Sequence, residues 1–283
     1  MQSNPASVWF ITGISRGLGR ELARAVLEAG DVVIGTTRDG ATDLAGTSGR
    51  LHVLPLELTD REQVRRTIAA ARALHGRLDV VVNNAGYGLL GAVEEARPGE
   101  IARVFEVNFL GAVHVMRAAL PLLRAQRRGH LVNISSIAGL APAAGSGIYA
   151  ATKFALSGVS EVLAQELEPL GVRVTIVEPG AFRTDFLSAH SLRKTDGAIA
   201  DYAATSGKTI AHLDGIAGRQ PGDPVRGAQA ILFAVKSERP PLHLLLGTDA
   251  LRRARTKLHA LSTEIDRWER VSAGTDFGAS PKG

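Results

Sequence analysis

The chain has 283 residues, 45% of them hydrophobic and 22% charged, with 31 Gly, 12 Pro and no Cys. A chain of this length buries about three-quarters of its unfolded surface without a covalent staple. The lack of cysteine excludes disulfides, thiolate zinc sites, iron–sulfur clusters and cysteine nucleophiles.

The net charge of +5 is spread along the chain. Its short basic groups, Arg124, Arg127, Arg128 and Arg252, Arg253, Arg255, fall in helical patterns and read as solvated faces, not as a nucleic-acid surface. The opening MQSNPASVWF has no basic stretch followed by an apolar one. No run approaches the ~18 apolar residues of a membrane helix. A soluble, cytoplasmic protein with no membrane partner is the expectation.

In chain order, apolar runs at 8–12, 32–36, 52–56, 80–83, 130–134, 173–177 and 242–246 predict strands. Most are apolar throughout, as in parallel strands covered on both faces. Helical patterns lie between them. Leu18, Leu22, Val26 and Ala29 form one stripe, closed by Gly30. Val64, Ile68, Ala71 and Leu74 form another, opened by Thr59 and Asp60 and closed by Gly76. Longer helices are expected at 100–128 and 146–170. The segment 186–223 breaks the rhythm and reads as a substrate loop or lid, and 272–283 as a disordered tail. Alternation of strand and helix predicts an α/β fold, a single Rossmann-like doubly wound parallel sheet of about seven strands in one domain over 1–271.

The first strand runs into Thr12-Gly13-Ile14-Ser15-Arg16-Gly17-Leu18-Gly19 and directly into a helix. Glycines allow a tight turn and close backbone approach, and a helix N-terminus offers free N–H groups to a phosphate. An NAD-preferring site usually has an acid at the end of the second strand, about 20 residues on. Here stand Thr36, Thr37 and Arg38, with Arg16 on the same side. A guanidinium suits a ribose 2′-phosphate, so NADP(H) is preferred over NAD(H). Asp39 would supply the missing acid only if the register slipped.

No lysine precedes Lys153, which follows Tyr149 by four residues. On a helix that spacing places both on one face. A nearby ammonium favours phenolate, and bringing a phenol from ~10 to about 7 takes ~4 kcal/mol of differential stabilisation. Ser135-Ser136 and Asn83-Asn84-Ala85-Gly86 end two strands at the carboxyl edge, where open α/β sheets bind ligands. Asn108 stands mid-helix among apolar neighbours, where an amide needs a partner.

With Pro179-Gly180 and Thr184, these residues make the chain resemble the short-chain dehydrogenase/reductase family over about 8–185. The resemblance implies that Tyr149 is the general acid/base and that Ser136 orients the substrate oxygen. Lys153 would lower the pKa of Tyr149 and hold the nicotinamide ribose, and Asn108 would hold a water linking Lys153 to solvent. Gly13, Ser15, Arg16, Gly17, Leu18 and Gly19 would cradle the cofactor. Arg38, Leu58, Asn84, Ala85 and Gly86 would border its adenosine side, and Pro179, Gly180 and Thr184 its nicotinamide side. Glu57 stands where the family often has Asp at the adenine, which shifts that contact to the backbone of Leu58 or to Asp60.

Tyr87, Leu89, Leu140, Ile148, Phe182 and Phe186 would line a largely apolar pocket for a carbonyl or alcohol. The chain is expected to form a homo-oligomer, a dimer or tetramer, with helices 100–128 and 146–170 pairing across a two-fold. His114, His190, His212 and His243 lack ligand spacing, so no catalytic metal is expected. The alternatives are a catalytically silent NADP(H)-binding regulator and a nucleotide-sugar dehydratase or epimerase.

Overall fold

The computed structural model describes residues 6–44, 50–188 and 190–277. In chain order the elements are β1 (Val8–Thr12), α1 (Gly17–Glu28), β2 (Val32–Thr37), β3 (Leu51–Pro55), α2 (Arg61–His75), β4 (Val80–Asn83) and β5 (Gly88–Leu90). They continue with α3 (Pro98–Phe105), α4 (Gly111–Gln126), β6 (Gly129–Ile134), α5 (Gly147–Leu167), β7 (Val172–Pro179) and β8 (Leu192–Lys194). The last are α6 (Lys208–Ile216), α7 (Pro224–Lys236), β9 (His243–Leu246) and α8 (Thr248–Ala273).

Seven strands form one parallel sheet in the order β3-β2-β1-β4-β6-β7-β9. Each of the seven expected strands is present, with ends moved by a few residues. The apolar runs are explained by burial on both faces. Val8, Phe10, Ile34, Val81 and Leu131 pack with α2, α4 and α5, whereas Trp9, Ile11, Val33, Val82 and Val132 pack with α1 and α7. Chain order reverses between β1 and β4, which opens a crevice at the carboxyl edge.

Asp60 caps α2 by accepting from the Gln63 N–H at 2.9 Å, and Gly76 ends it in the left-handed region. The expected helix at 100–128 is α3 and α4 joined by a single π-turn at Glu106–Leu110, with Asn108 in it. β5 and β8 pair in a separate two-stranded sheet; three residues each are too few to carry a period. The expected lid is therefore ordered: besides β8 it holds short helical turns at Ala200–Tyr202 and Ala203–Gly207 and then α6. Of the expected disordered tail, Ser272 and Ala273 belong to α8, and 278–283 lie outside the described residues.

His130, at the start of β6, is buried within hydrogen-bond distance of Thr175, Nε2 to Oγ1 2.9 Å. Thr175 donates its proton to the Pro241 carbonyl, so Nε2–H of a neutral imidazole is the donor. Burial pulls the His130 value from 6.5 down to about 4, and Arg173 adds to the effect. The neutral form is favoured by folding, so the stabilisation is complete above pH 6.5 and is lost as pH falls from 6.5 toward 4. At about 1.4 kcal/mol per pH unit this amounts to about 3 kcal/mol. Urea unfolding of wild type and His130→Gln at pH 7 and 4.5 checks it. The variant should lose markedly less stability on acidification.

Candidate active site

The glycine turn is braced from β4. Thr12 Oγ1 accepts from the N–H groups of Asn84 (3.0 Å) and Ala85 (3.1 Å). The Asn84 amide donates to the carbonyls of Thr12 (2.9 Å) and Gly13 (3.0 Å). Asn84 thus holds the turn by its side chain. Gly13 and Gly17 have φ of 74° and 61°, where side chains are strained. A Cβ on Gly19 would lie 2.1 Å from Asn84 Nδ2 and 2.5 Å from the Gly13 oxygen. Arg16 is the N-cap of α1 and makes no side-chain bond to its first turn, so those N–H groups face outward. Such a turn could hold a phosphate group, with Ser15 exposed and Arg16 half-exposed at its rim. Leu18 turns the other way and packs into the core.

Arg38 is exposed directly after β2. Asp39 folds back on itself: its Oδ1 accepts from Thr37 Oγ1 (3.0 Å) and from the Ala41 N–H (3.1 Å), which hold the carboxyl below its usual range. No register slip occurs, since β2 and β1 pair residue by residue to Thr36 and Thr12. Asp60 is committed to the α2 cap, and Glu57 Oε1 accepts from the N–H and hydroxyl of its neighbour Thr59. Leu58 is buried, and its carbonyl faces His114 Nδ1 at 3.3 Å.

Tyr149 and Lys153 are both buried on α5. They share a face, with Nζ 5.8 Å from the phenol ring centre. Nζ donates to the Ile134 carbonyl at 2.8 Å. A Cβ on Gly86 would lie 3.8 Å from Nζ and 2.9 Å from Asn108 Oδ1, so only glycine leaves that corner open. Ser135 and Ser136 have different jobs. The Ser135 hydroxyl is buried against Ser157 Oγ (2.9 Å) and the Lys153 carbonyl (3.2 Å). Ser136 accepts from the Ala138 N–H at 3.1 Å and is half-buried beside Tyr149.

Tyr149 and Lys153 stand close together as expected, and burial acts on both. Burial pushes Tyr149 up to about 12, against a pull from the Ser136 hydroxyl. Burial also brings Lys153 down to about 8. Desolvation disfavours both charged forms, and the Ile134 carbonyl engages the ammonium. Asn108 Oδ1 accepts from the Tyr87 N–H (2.9 Å), and its two amide protons go to the Tyr87 carbonyl (2.8 Å) and Thr152 Oγ1 (3.3 Å). The side chain thus pins residue 87 to α5.

On the far side of the crevice, β7 ends at Pro179 and the loop after it carries Gly180 and Thr184. Asp249, in the first turn of α8, accepts from the Ala181 N–H at 2.9 Å. Its Oδ1 would sit 2.2 Å from any Cβ on Gly180. No local sequence pattern marks Asp249, which lies 68 residues from its partner. Thr184 approaches the glycine turn: a Cβ on Gly17 would be 3.7 Å from its own Cβ.

Of the residues expected at the substrate end, Phe186 stacks on Tyr149 with ring centres 5.9 Å apart, and Tyr87 lies under Arg193. Ile148 is half-buried one residue before Tyr149. Leu89 is buried in β5. Phe182 is instead a core residue between Gly222 and Gly227, and Leu140 packs beneath α8. Both are drawn away because their glycine and alanine neighbours leave room for them. A cleft of about 300 Å³ lies between residues 92–94, 143–147 and 202–206. Its walls include Glu94, Tyr202, Thr205 and Ser206, and none of the six residues expected at the substrate end. Among the described residues no group of three His, Asp or Glu comes together that could hold a metal ion, and no helix is long and apolar enough to cross a membrane.

A crevice of this kind, at the reversal point of a doubly wound sheet with a glycine turn on one wall, defines a dinucleotide-fold oxidoreductase. The short chain dehydrogenase profile matches residues 7–195, and the chain belongs to that family. The oxidoreductase BOA17 of Botryotinia fuckeliana is 38% identical over 269 residues, covering 94% of this chain and 97% of that protein. The crystal structure of a short-chain dehydrogenase from Streptomyces avermitilis superposes with a TM-score of 0.90 at 41% identity, over 97% of this chain and all of that one (100%). ElxO, solved with NADP bound, superposes with a TM-score of 0.72 at 26% identity, over 87% of this chain and 99% of its own.

Proposed function

We propose that the protein is an NADP(H)-dependent oxidoreductase that interconverts a ketone or aldehyde and the corresponding alcohol. One observation carries this reading: Tyr149 and Lys153 are buried together on one helix face, beside Ser136 and Gly86. The glycine cradle, Arg16, Arg38 and the backbone of Leu58 would hold the adenosine half of a nicotinamide dinucleotide. Ala85 and Gly86 would border that half as well, and Lys153, Pro179, Gly180 and Thr184 would hold the rest. ElxO, with NADP bound, supports that cofactor class. When bound, the nicotinamide supplies or accepts the hydride.

The protein manages the proton. In the reduction direction Tyr149 Oη gives its proton to the carbonyl oxygen, which the Ser136 hydroxyl orients. Buried as it is, the phenol keeps its proton at neutral pH and so stands in the acid form. Lys153, still mostly protonated at pH 7, stabilises the phenolate left behind. Asn108 positions residue 87 and, through Thr152, the turn of α5 that carries Tyr149.

The segment 186–223 is the substrate lid in this reading. It docks on residues 94–97 through Tyr202 Oη to Glu94 (2.7 Å), the Ile199 N–H to Glu95 (2.8 Å) and Arg97 to Asp196 (2.6 Å). Phe186 gives the pocket its apolar wall against Tyr149.

Cofactor choice is tested by steady-state kinetics. Wild type should favour NADPH over NADH, and Arg38→Asp should lower kcat/KM for NADPH by about 50-fold or more, as expected for a lost charge-assisted pair of ~2–3 kcal/mol. Equal use of both cofactors by wild type would overturn the preference. Binding of NADPH without turnover on a broad carbonyl panel would favour the silent regulator instead.

A further inference from the structure

Helix α8 leaves the body of the protein soon after it begins. Ala250 and Ala254 are buried with Ile137 and Ala141, and Arg253 donates to the Ala141 carbonyl. From Arg255 to Phe277 every described residue is exposed. The helical part of that stretch, 255–273, extends about 28 Å at 1.5 Å per residue. A helix of this length without tertiary contacts is marginal in water.

Its apolar residues are not scattered. Leu251, Ala254, Leu258, Leu261, Ile265 and Trp268 alternate spacings of three and four, the a/d repeat of a coiled coil. The last four are 42–59% exposed. This stripe matches a partner helix with the same repeat, and a second copy of the chain supplies one.

The charges flanking the stripe favour that occupant and set its direction. Arg255 and Lys257 flank the first half, Glu264 and Glu269 the second. Parallel copies would set Glu264 against Glu269 across the seam. Antiparallel copies centred on residue 263 set Arg255 of each against Glu269 of the partner subunit, two ion pairs against a single approach of Glu264 to its own copy. Arg267 and Arg270 fall on the outer positions c and f, away from the seam. Two acids beside the apolar stripe also suit an anionic membrane surface poorly.

We propose that α8 is an assembly element through which two copies of this chain pair antiparallel. Leu258 lies opposite Trp268 of the partner subunit, Leu261 lies opposite Ile265 of the partner subunit, and the two-fold axis passes near residue 263. This surface is separate from the α4–α5 pairing expected from the sequence, and it does not depend on the reading of the active site.

The absence of cysteine makes a single introduced one unique. In the antiparallel pair Ser262 faces its own copy, whereas Ser272 is about 27 Å from its copy. Under mild oxidation, full-length Ser262→Cys should convert largely to a disulfide-linked dimer, and Ser272→Cys at least tenfold less. The double variant Leu258→Glu/Ile265→Glu should halve the sedimenting mass of the wild type and keep its turnover. Cross-linking at 272 in place of 262, or a mass unchanged by the double variant, overturns the proposal. So does flotation of wild type with phosphatidylserine vesicles when Ser262→Cys fails to cross-link.

Discussion

Tyr149→Phe is expected to reduce turnover by about 10³-fold or more, with NADPH affinity within about threefold of wild type. The phenol is buried, and no other described side chain with a titrating hydroxyl stands beside Ser136. General acid catalysis contributes typically ~10²–10⁴-fold. Lys153 is held by the Ile134 carbonyl, and Ser136 accepts the Ala138 N–H. The ring itself packs on Phe186, a contact that Phe at 149 retains. Single-turnover rates and fluorescence titration with NADPH measure the two quantities. Wild-type turnover in the variant would refute the role of Tyr149.

Gly19→Ala should raise the dissociation constant for NADPH by about 100-fold or more, which corresponds to ~3 kcal/mol. The added methyl would lie 2.1 Å from Asn84 Nδ2 and 2.5 Å from the Gly13 oxygen. Neither atom can retreat cheaply, because Asn84 Nδ2 bonds the Thr12 and Gly13 carbonyls. Relief of the clash must open the turn and move the first N–H groups of α1. The unmade hydrogen bonds should also cost ~1–3 kcal/mol of folding stability. Isothermal titration and thermal unfolding separate the two effects. Gly76→Ala is the control: that helix-end glycine, with φ of 72° and open space around it, should lose stability without losing cofactor affinity.

Much of the fold was legible because burial on both faces leaves a plain record in composition. Residues such as Val8, Trp9, Phe10 and Ile11 alternate between two cores, so the whole run must be apolar. β5 and β8 were not legible, since three residues show no period and Gly88 pairs with Leu192 across more than a hundred positions. In the site, the spacing of Tyr149 and Lys153 predicts their shared face because helix geometry is local. The acidity constant of Tyr149 is not local. It depends on how far the α5 face is desolvated and on the Ser136 hydroxyl that the end of β6 brings beside it. Ser135 and Ser136 are chemically alike in sequence; packing against Ser157 and the Lys153 carbonyl separates their roles.

The sequence alone determined the parallel doubly wound sheet, the glycine turn and the pairing of Tyr149 with Lys153. Each depends on patterns within a few residues: strand hydrophobicity, a glycine turn between strand and helix, and a helix repeat. Only the tertiary structure decided that Asp249 supports the Gly180 loop, that Asn108 pins residue 87, that Phe182 is core, and that α8 projects with its apolar stripe exposed. These are contacts and exposures set by remote segments, and they follow from where crossovers place the chain, which no local period encodes.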